Sequence, residues 1–292
     1  MTSLALPLPL PTTVRRTAFG KDVLNEARLT WRRPIGLIAG VAIPVFLTLL
    51  FGKLPAFHHT SASFGGITPF DAYVPILAVF SLAMLALLGL PIPLASYREL
   101  GVLRRLSTTP VPPSWLLAAQ GLVQLCVALA ALTVILAMSI VAFGAPVPKS
   151  PGGLLVSVLL SVAGLFPIGL MIAAMSKTAG AASVIGRLAF FPLIFFAGLW
   201  LPRALMPSVL LDISNYSPLG PAVQAMQSSM LTGFPSVQPL LVLAGYAVVF
   251  GFLARRFFRW ELCRLASRWP GLRASARSPP HACAFMSGWS GG

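Results

Sequence analysis

The feature that most constrains this chain is an alternation: apolar segments too long for an ordinary globular core are separated by short segments that hold nearly all of the charge. Six stretches are apolar in this way, at about residues 35–52, 73–95, 114–143, 153–176, 181–201 and 237–254. As helices rising ~1.5 Å per residue, each approaches or exceeds the ~30 Å hydrocarbon core of a bilayer. A soluble domain of this length with 57% apolar and 9% charged residues would expose large apolar patches. The chain is therefore read as an all-α integral membrane protein with six transmembrane helices. Its net charge of +15 does not point to nucleic acid, because basic residues interleaved with apolar spans are what membrane topology requires.

Three cysteines cannot form a disulfide framework: Cys126 falls within a span, and Cys263 and Cys283 fall in a basic tail. His58 and His59 are adjacent in a loop with no Cys or carboxylate partner nearby in sequence, so no metal site is expected. Residues 1–14 alternate Leu and Pro, which excludes a continuous helix and lacks the features of a signal peptide. Residues 1–16 are read as a disordered segment. From Thr17 to Arg33, Phe19, Val23, Ala27 and Trp31 recur every four positions with charges facing elsewhere, the pattern of an amphipathic helix lying in the membrane interface.

The first span follows Pro34 and carries Gly36 and Gly40 on one face, a small-residue pair that allows close helix contact. In the third span Gln120 and Gln124 share a face, able to hydrogen-bond a neighbour or line a cavity, with packing the plainer role. Ser157 and Ser161 share a face of the fourth, which Pro167 is expected to break. Lys177–Gly180 reads as a tight turn, and Arg187 lies within snorkelling reach of it. Residues 202–236 are too polar and Pro-rich to span simply, yet hold apolar clusters. Short helices dipping into the outer interface, a re-entrant segment before span six, fit best.

Orientation follows from the basic residues. With the N-terminus inside, the cytoplasmic side holds Arg15, Arg16, Lys21, Arg28, Arg32, Arg33, Arg98, Arg104, Arg105, Lys177 and seven arginines from Arg255 to Arg277, whereas only Lys53, Lys149 and Arg203 lie outside. Both termini are thus expected in the cytoplasm, in the plasma membrane. Scarce lysine beside abundant Arg, Ala, Gly and Pro hints at a bacterial source.

Between spans two and three lies a cytoplasmic stretch, Tyr97–Pro113, that does not belong in a bilayer. At about 100° per residue it places Arg98, Arg104 and Arg105 in one arc and Leu100, Val102, Leu103 and Leu106 in the opposite one. Glu99 breaks the division by falling inside the apolar arc. A plain solvated loop is the alternative.

The run Tyr97-Arg98-Glu99-Leu100-Gly101-Val102-Leu103-Arg104-Arg105-Leu106, followed by Thr109-Pro110-Val111, resembles the signature of the type 2 permease family of ATP-binding-cassette transporters. A basic/acidic pair there leads through Gly and Leu to a Thr-Pro turn. The resemblance covers about residues 17–261, including Arg259-Trp260-Glu261, and leaves 262–292 as a basic tail expected to be disordered. It implies a permease half of an exporter, paired with a second permease copy or a paralogue and with two copies of an ABC ATPase subunit. Arg98, Glu99, Gly101, Leu103, Arg104, Arg105, Leu106, Thr109 and Pro110 would form the coupling helix that meets the ATPase, and Gly36 and Gly40 a possible dimer face.

ATP and Mg would sit on the partner: in this chain neither Lys149-Ser150 nor Lys177-Thr178 is preceded by the glycine of a phosphate-binding loop, and no cofactor is expected. A carboxylate in the apolar arc is costly against lipid, so Glu99 is expected to point at Arg32 and Arg33 or at the mouth of the pathway, leaving the arginine arc to the ATPase. A drug, lipid or glycoconjugate suits a pathway of apolar side chains. The alternative functions are a secondary transporter and an intramembrane enzyme. Against them, none of the six acidic residues falls at mid-span, and no catalytic constellation falls within the spans.

Overall fold

The computed structural model describes residues 20, 23–24, 27–29, 38–60, 64, 66–100 and 113–267. Among the described residues there are helices and no strands. A π turn at Ile38–Ala42 leads into α1 (Ile43–Lys53); α2 (Pro69–Met84), a second π turn (Leu85–Gly89) and α3 (Pro91–Glu99) form one helix of membrane length. α4 (Pro113–Phe143), α5 (Pro151–Met175) and α6 (Ala179–Ala197) follow, then two short helices, α7 (Ser208–Tyr216) and α8 (Gly220–Leu231), and finally α9 (Val237–Ser267).

Five helices are long and apolar enough to cross a membrane, namely Pro69–Glu99, Ala118–Phe143, Pro151–Met175, Ala179–Ala197 and Val237–Ala254. The expected first span begins outside the described residues; its described part contains a shorter apolar helix, Gly40–Lys53. Of the expected interfacial helix at Thr17–Arg33, the described residues are helical. The last helix runs to Ser267, past the boundary expected at Glu261, and 268–292 lie outside the described residues, as do 1–16.

Helix starts follow local chemistry. Thr68, Ser150 and Thr178 each accept a backbone N–H three residues on, from Asp71, Gly153 and Ala181 at 3.1–3.2 Å. Each satisfies a donor that the first turn leaves unpaired. Pro69 and Pro151 occupy first-turn positions where the missing N–H costs nothing. α6 stops at Gly198, whose φ of +94° is left-handed.

The helix Pro69–Glu99 is the axis of the bundle. Of its most apolar window 83% is buried within the chain, against 22% for Ala179–Ala197 and 17% for Val237–Ala254. The outer helices keep large side chains exposed, among them Phe46, Val141, Leu188 and Phe252, as a surface facing lipid or a second copy requires.

This axis is interrupted at the π turn, where the Leu90 N–H reaches back five residues to the Leu85 carbonyl at 2.9 Å. Pro91 has no N–H, so it cannot bond the Leu87 carbonyl in α register or the Ala86 carbonyl in π register. Glycines of two other helices approach those same carbonyls. A Cβ on Gly169 of α5 would stand 2.0 Å from the Ala86 oxygen, and one on Gly186 of α6 2.5 Å from the Leu87 oxygen. On a third side the Gly40 carbonyl accepts from Ser81 Oγ at 2.7 Å, with the Leu85 side chain where a Cβ would be.

Two expectations change here. Pro167 does not break the fourth span: α5 is continuous through it, as α2 is through Pro75 and α6 through Pro192, because neighbouring helices, chiefly α9 for α5, hold the axis. And Gly40 faces inward onto its own chain's axis, so the small-residue face expected to meet a partner is occupied there; Gly36 lies outside the described residues.

At the end of the bundle opposite Glu99, α8 is buried along most of its length. Its start abuts the Ser214 carbonyl, which a Cβ on Gly220 would meet at 1.8 Å. Its last turn accepts from the N–H groups of Lys149 and Ser150 at 3.3 and 3.1 Å, and Ser229 Oγ lies 3.1 Å from Ser157 Oγ of α5. Both ends of α8 therefore lie at the same end of the bundle.

Gly169→Ala and Gly186→Ala are expected to lower stability by about 1–3 kcal/mol each, because the methyl meets backbone that cannot swing aside. Gly121→Ala, with nothing within 4 Å, should be neutral or slightly stabilising. Unfolding midpoints in detergent compare the three.

Candidate functional site

A polypeptide reversing direction between two membrane helices leaves carbonyls unpaired at the end of the first and N–H groups unpaired at the start of the second. The turn between α5 and α6, residues 176–178, poses this problem next to the end of α3. Part is solved locally. Ser176 N–H bonds the Ile172 and Ala173 carbonyls and its hydroxyl donates to Ile172 at 2.7 Å, while Thr178 caps Ala181.

The remainder is solved by two adjacent side chains of α3. Arg98 Nη1 donates to the Ala174 carbonyl at 2.9 Å and the Ser176 carbonyl at 3.1 Å. Glu99 Oε2 accepts from the Ala179 N–H at 2.9 Å. A cation thus stands at the negative end of α5 and an anion at the positive start of α6, the signs the helix dipoles favour. Arg98 is half-buried and Glu99 exposed, so the arginine contacts are shielded from screening and the glutamate contact is not. Together they clamp the α5–α6 turn to the end of the bundle's axis.

This differs from the sequence expectation in three respects. Arg98 and Glu99 form the last turn of the second membrane helix, not the start of a separate one. Arg98, expected on an arc free for a partner, turns inward. Glu99, expected to face Arg32 and Arg33 or the pathway mouth, meets a backbone N–H, which lets a carboxylate sit on an apolar arc at the helix end without being unpaired. Gly101, Leu103, Arg104, Arg105, Leu106, Thr109 and Pro110 lie outside the described residues. The sequence did contain a signal for the acceptor side: Ser176 and Thr178, cap-forming residues, bracket the expected turn.

Two other features border the axis. Gln120 and Gln124 are almost wholly buried, and the Oε1 of each has no hydrogen-bond partner. A Cβ on Gly89, the last residue of the π turn, would stand 2.6 Å from Gln124 Nε2. Their face is thus inside the protein against the irregular backbone, without the interhelical bonds the sequence allowed for. Arg187, two turns into α6, points back towards the clamp, with Nε 3.2 Å from the Ser183 carbonyl and Nη2 bonded to Ser183 Oγ. Among the described residues no three or more His, Cys, Asp or Glu side chains gather as a metal site would require. His58 Nε2 donates to the Gly52 carbonyl at 2.7 Å.

Arg98→Ala should cost about 1–3 kcal/mol by leaving two carbonyls of a partly buried turn unpaired, and Thr178→Ala about 1 kcal/mol as a lost cap. Glu99→Ala should cost less, with an effect that shrinks as salt shortens the Debye length below about 8 Å. Denaturant unfolding at low and high salt separates the three.

A family model described as ABC-2 type transporter matches residues 23–231, which takes in every helix from α1 to α8. No curated protein gives a significant match.

Proposed function

The chain belongs to the ABC-2 type transporter family and is a multi-pass membrane permease, and from that premise we propose that it is the membrane half of an exporter whose ATP is hydrolysed by a separate ATPase subunit. The observation that carries the proposal is the clamp: the chain segment that follows Glu99 leads directly out of the axis helix, and the residue pair before it holds the α5–α6 turn.

In this reading residues 101–112, with Arg104 and Arg105, seat on the ATPase. Closure of an ATPase dimer displaces that segment. Arg98 and Glu99 pass the displacement to α3 and to the ends of α5 and α6 at once, since Arg98 holds one helix by its last carbonyls and Glu99 the other by its first N–H. The π turn, where the axis already lacks regular helical bonds, is where the upper part of the axis can move differently from the lower. Glycines at Gly169 and Gly186 let the backbones slide at contact distance without side chains interlocking. ATP and its Mg are assigned to the partner, because neither Lys149-Ser150 nor Lys177-Thr178 is preceded by the glycine of a phosphate-binding loop.

The concentration of Arg and Lys at the clamp end supports placing that end, and both termini, on the cytoplasmic side of the plasma membrane. α7 and α8 then lie on the outer side. The exposed apolar faces of the outer helices leave room for a second permease copy, and an amphiphile such as a drug, a lipid or a glycoconjugate suits a pathway bordered by apolar side chains.

Two measurements test this. Purified alone, the chain should show no saturable ATP binding. Co-expressed with its ATPase, a charge reversal at Arg104 and Arg105 should reduce ATPase co-purification, most at low salt, because rim charges act mainly by long-range attraction. Glu99→Ala should leave co-purification intact and abolish export, with Glu99→Gln in between because its amide oxygen still accepts from Ala179. Equal loss of recruitment and export in all variants would refute the division between seating and transmission.

A further inference from the structure

The end of the bundle opposite the clamp contains a second half-buried cation, which like Arg98 donates to neutral oxygens. Arg203 begins a short 3-10 turn (Arg203–Leu205) after the left-handed Gly198. Its Nη1 donates to Ser214 Oγ and its Nη2 to Asn215 Oδ1, both at 2.6 Å. Ser214 in turn donates to the Phe196 carbonyl at 2.6 Å, so the hydroxyl is fixed as an acceptor towards the arginine. Both acceptors are neutral. A guanidinium has five N–H donors, so three are left without an acceptor among the described residues, and no carboxylate there forms an ion pair with it. Asp212, two residues before Ser214, is exposed and lines a different, apolar groove.

A partly buried cation without a counter-ion is costly, and burial here lowers the pKa of the group. Yet its side chain is held rigidly. It lines a cavity of about 280 Å³ whose other lining residues include Gln227, Phe64, Ile67, Ile76 and Ala204. That volume falls just below the ~300–1,000 Å³ of drug-sized pockets, a size for a headgroup and not for a whole substrate. A fixed guanidinium fork with spare donors is complementary to an oxyanion, whose paired oxygens it meets in one plane.

We propose that Arg203 and Gln227 form a binding site for a phosphate oxyanion, carried either by a lipid-like amphiphile or by a small free ion. The anion supplies the missing counter-charge, and Ser214 and Asn215 hold the guanidinium in place whether or not it is bound. The site lies in α7, α8 and the turn before them, so its existence does not depend on ATPase coupling or on transport.

The test uses the purified full-length chain without any partner. In neutral, phosphate-free detergent, inorganic phosphate is compared with chloride at equal ionic strength, and micelles without lipid are compared with micelles containing phosphatidylglycerol. The expected result is a rise of roughly 2–4 °C in the unfolding midpoint with one or both phosphate sources. A response to free phosphate identifies a small ion as sufficient, and a response to phosphatidylglycerol alone identifies a lipid headgroup. Arg203→Gln should abolish the response. Because that variant also loses two hydrogen bonds, Gln227→Glu is the decisive partner: it is isosteric, supplies an internal counter-charge, and should abolish the response while keeping a midpoint no lower than the parent. No response to either source, or a response that survives in Gln227→Glu, overturns the proposal.

Discussion

Inside a bilayer a backbone carbonyl has no water to turn to, and Pro91 removes the N–H that two carbonyls of the most buried helix would otherwise use. Much of the architecture follows from that deficit. The helix relaxes into a π turn, in which Leu90 bonds Leu85. The turn's carbonyls are approached at Ala86 and Leu87 by glycines, Gly169 and Gly186, while Gly40 stands against the Leu85 side chain. Cα–H groups of glycines at such carbonyls are weak donors, worth about 0.5–1 kcal/mol, which suits oxygens that Pro91 cannot serve. Close backbone approach and the absence of interlocking side chains are one property seen twice, and they place the three helices in register around residues 85–89.

The same axis ends at Arg98 and Glu99. From the π turn to the clamp there is only α3, nine residues opened by Pro91, and its buried Leu94 and Tyr97 pack with Leu90 and Ala173. The axis is thereby joined to α5 and α6 in two ways, by hydrogen bonds to their termini and by packing along α3.

The presence of membrane-crossing helices was legible because apolar length is decided by composition, which local chemistry cannot disguise. The helix starts at Thr68, Ser150 and Thr178 were placed a few residues late, at about 73, 153 and 181, because apolar content marks the membrane-buried part of a helix and the hydroxyl caps precede it. What was not legible depends on a partner distant in sequence. Nothing near Glu99 indicates Ala179, eighty residues away, and a helical wheel shows only that a carboxylate lies in the wrong arc, not that a helix start has come to meet it. Pro167 misled because proline reads as a breaker on its own, whereas a helix fixed along its length by α9 keeps its course through the missing bond. Gly40 misled in the opposite direction: a small residue promises close approach without saying to whom, and the neighbour was Leu85 of the same chain. The glutamines of α4 were seen to share a face, but that both oxygens are buried without donors depends on neighbours distant in sequence, which no periodicity reveals.

The two ends of the bundle each hold an arginine against neutral oxygens, and the clamp also holds a carboxylate against a helix start. At the clamp a cation and an anion meet backbone groups of matching partial charge, so each charge is compensated as soon as the turn is in place and the arrangement weakens when either helix end withdraws. At the other end Arg203 is held by neutral oxygens of α7, and the hydroxyls of Ser214 and Ser217 fasten α7 to the Phe196 carbonyl and to the start of α8. Among the described residues a carboxylate therefore meets a helix start at one end, whereas at the other the guanidinium meets no carboxylate and is fixed by its two hydrogen bonds to α7.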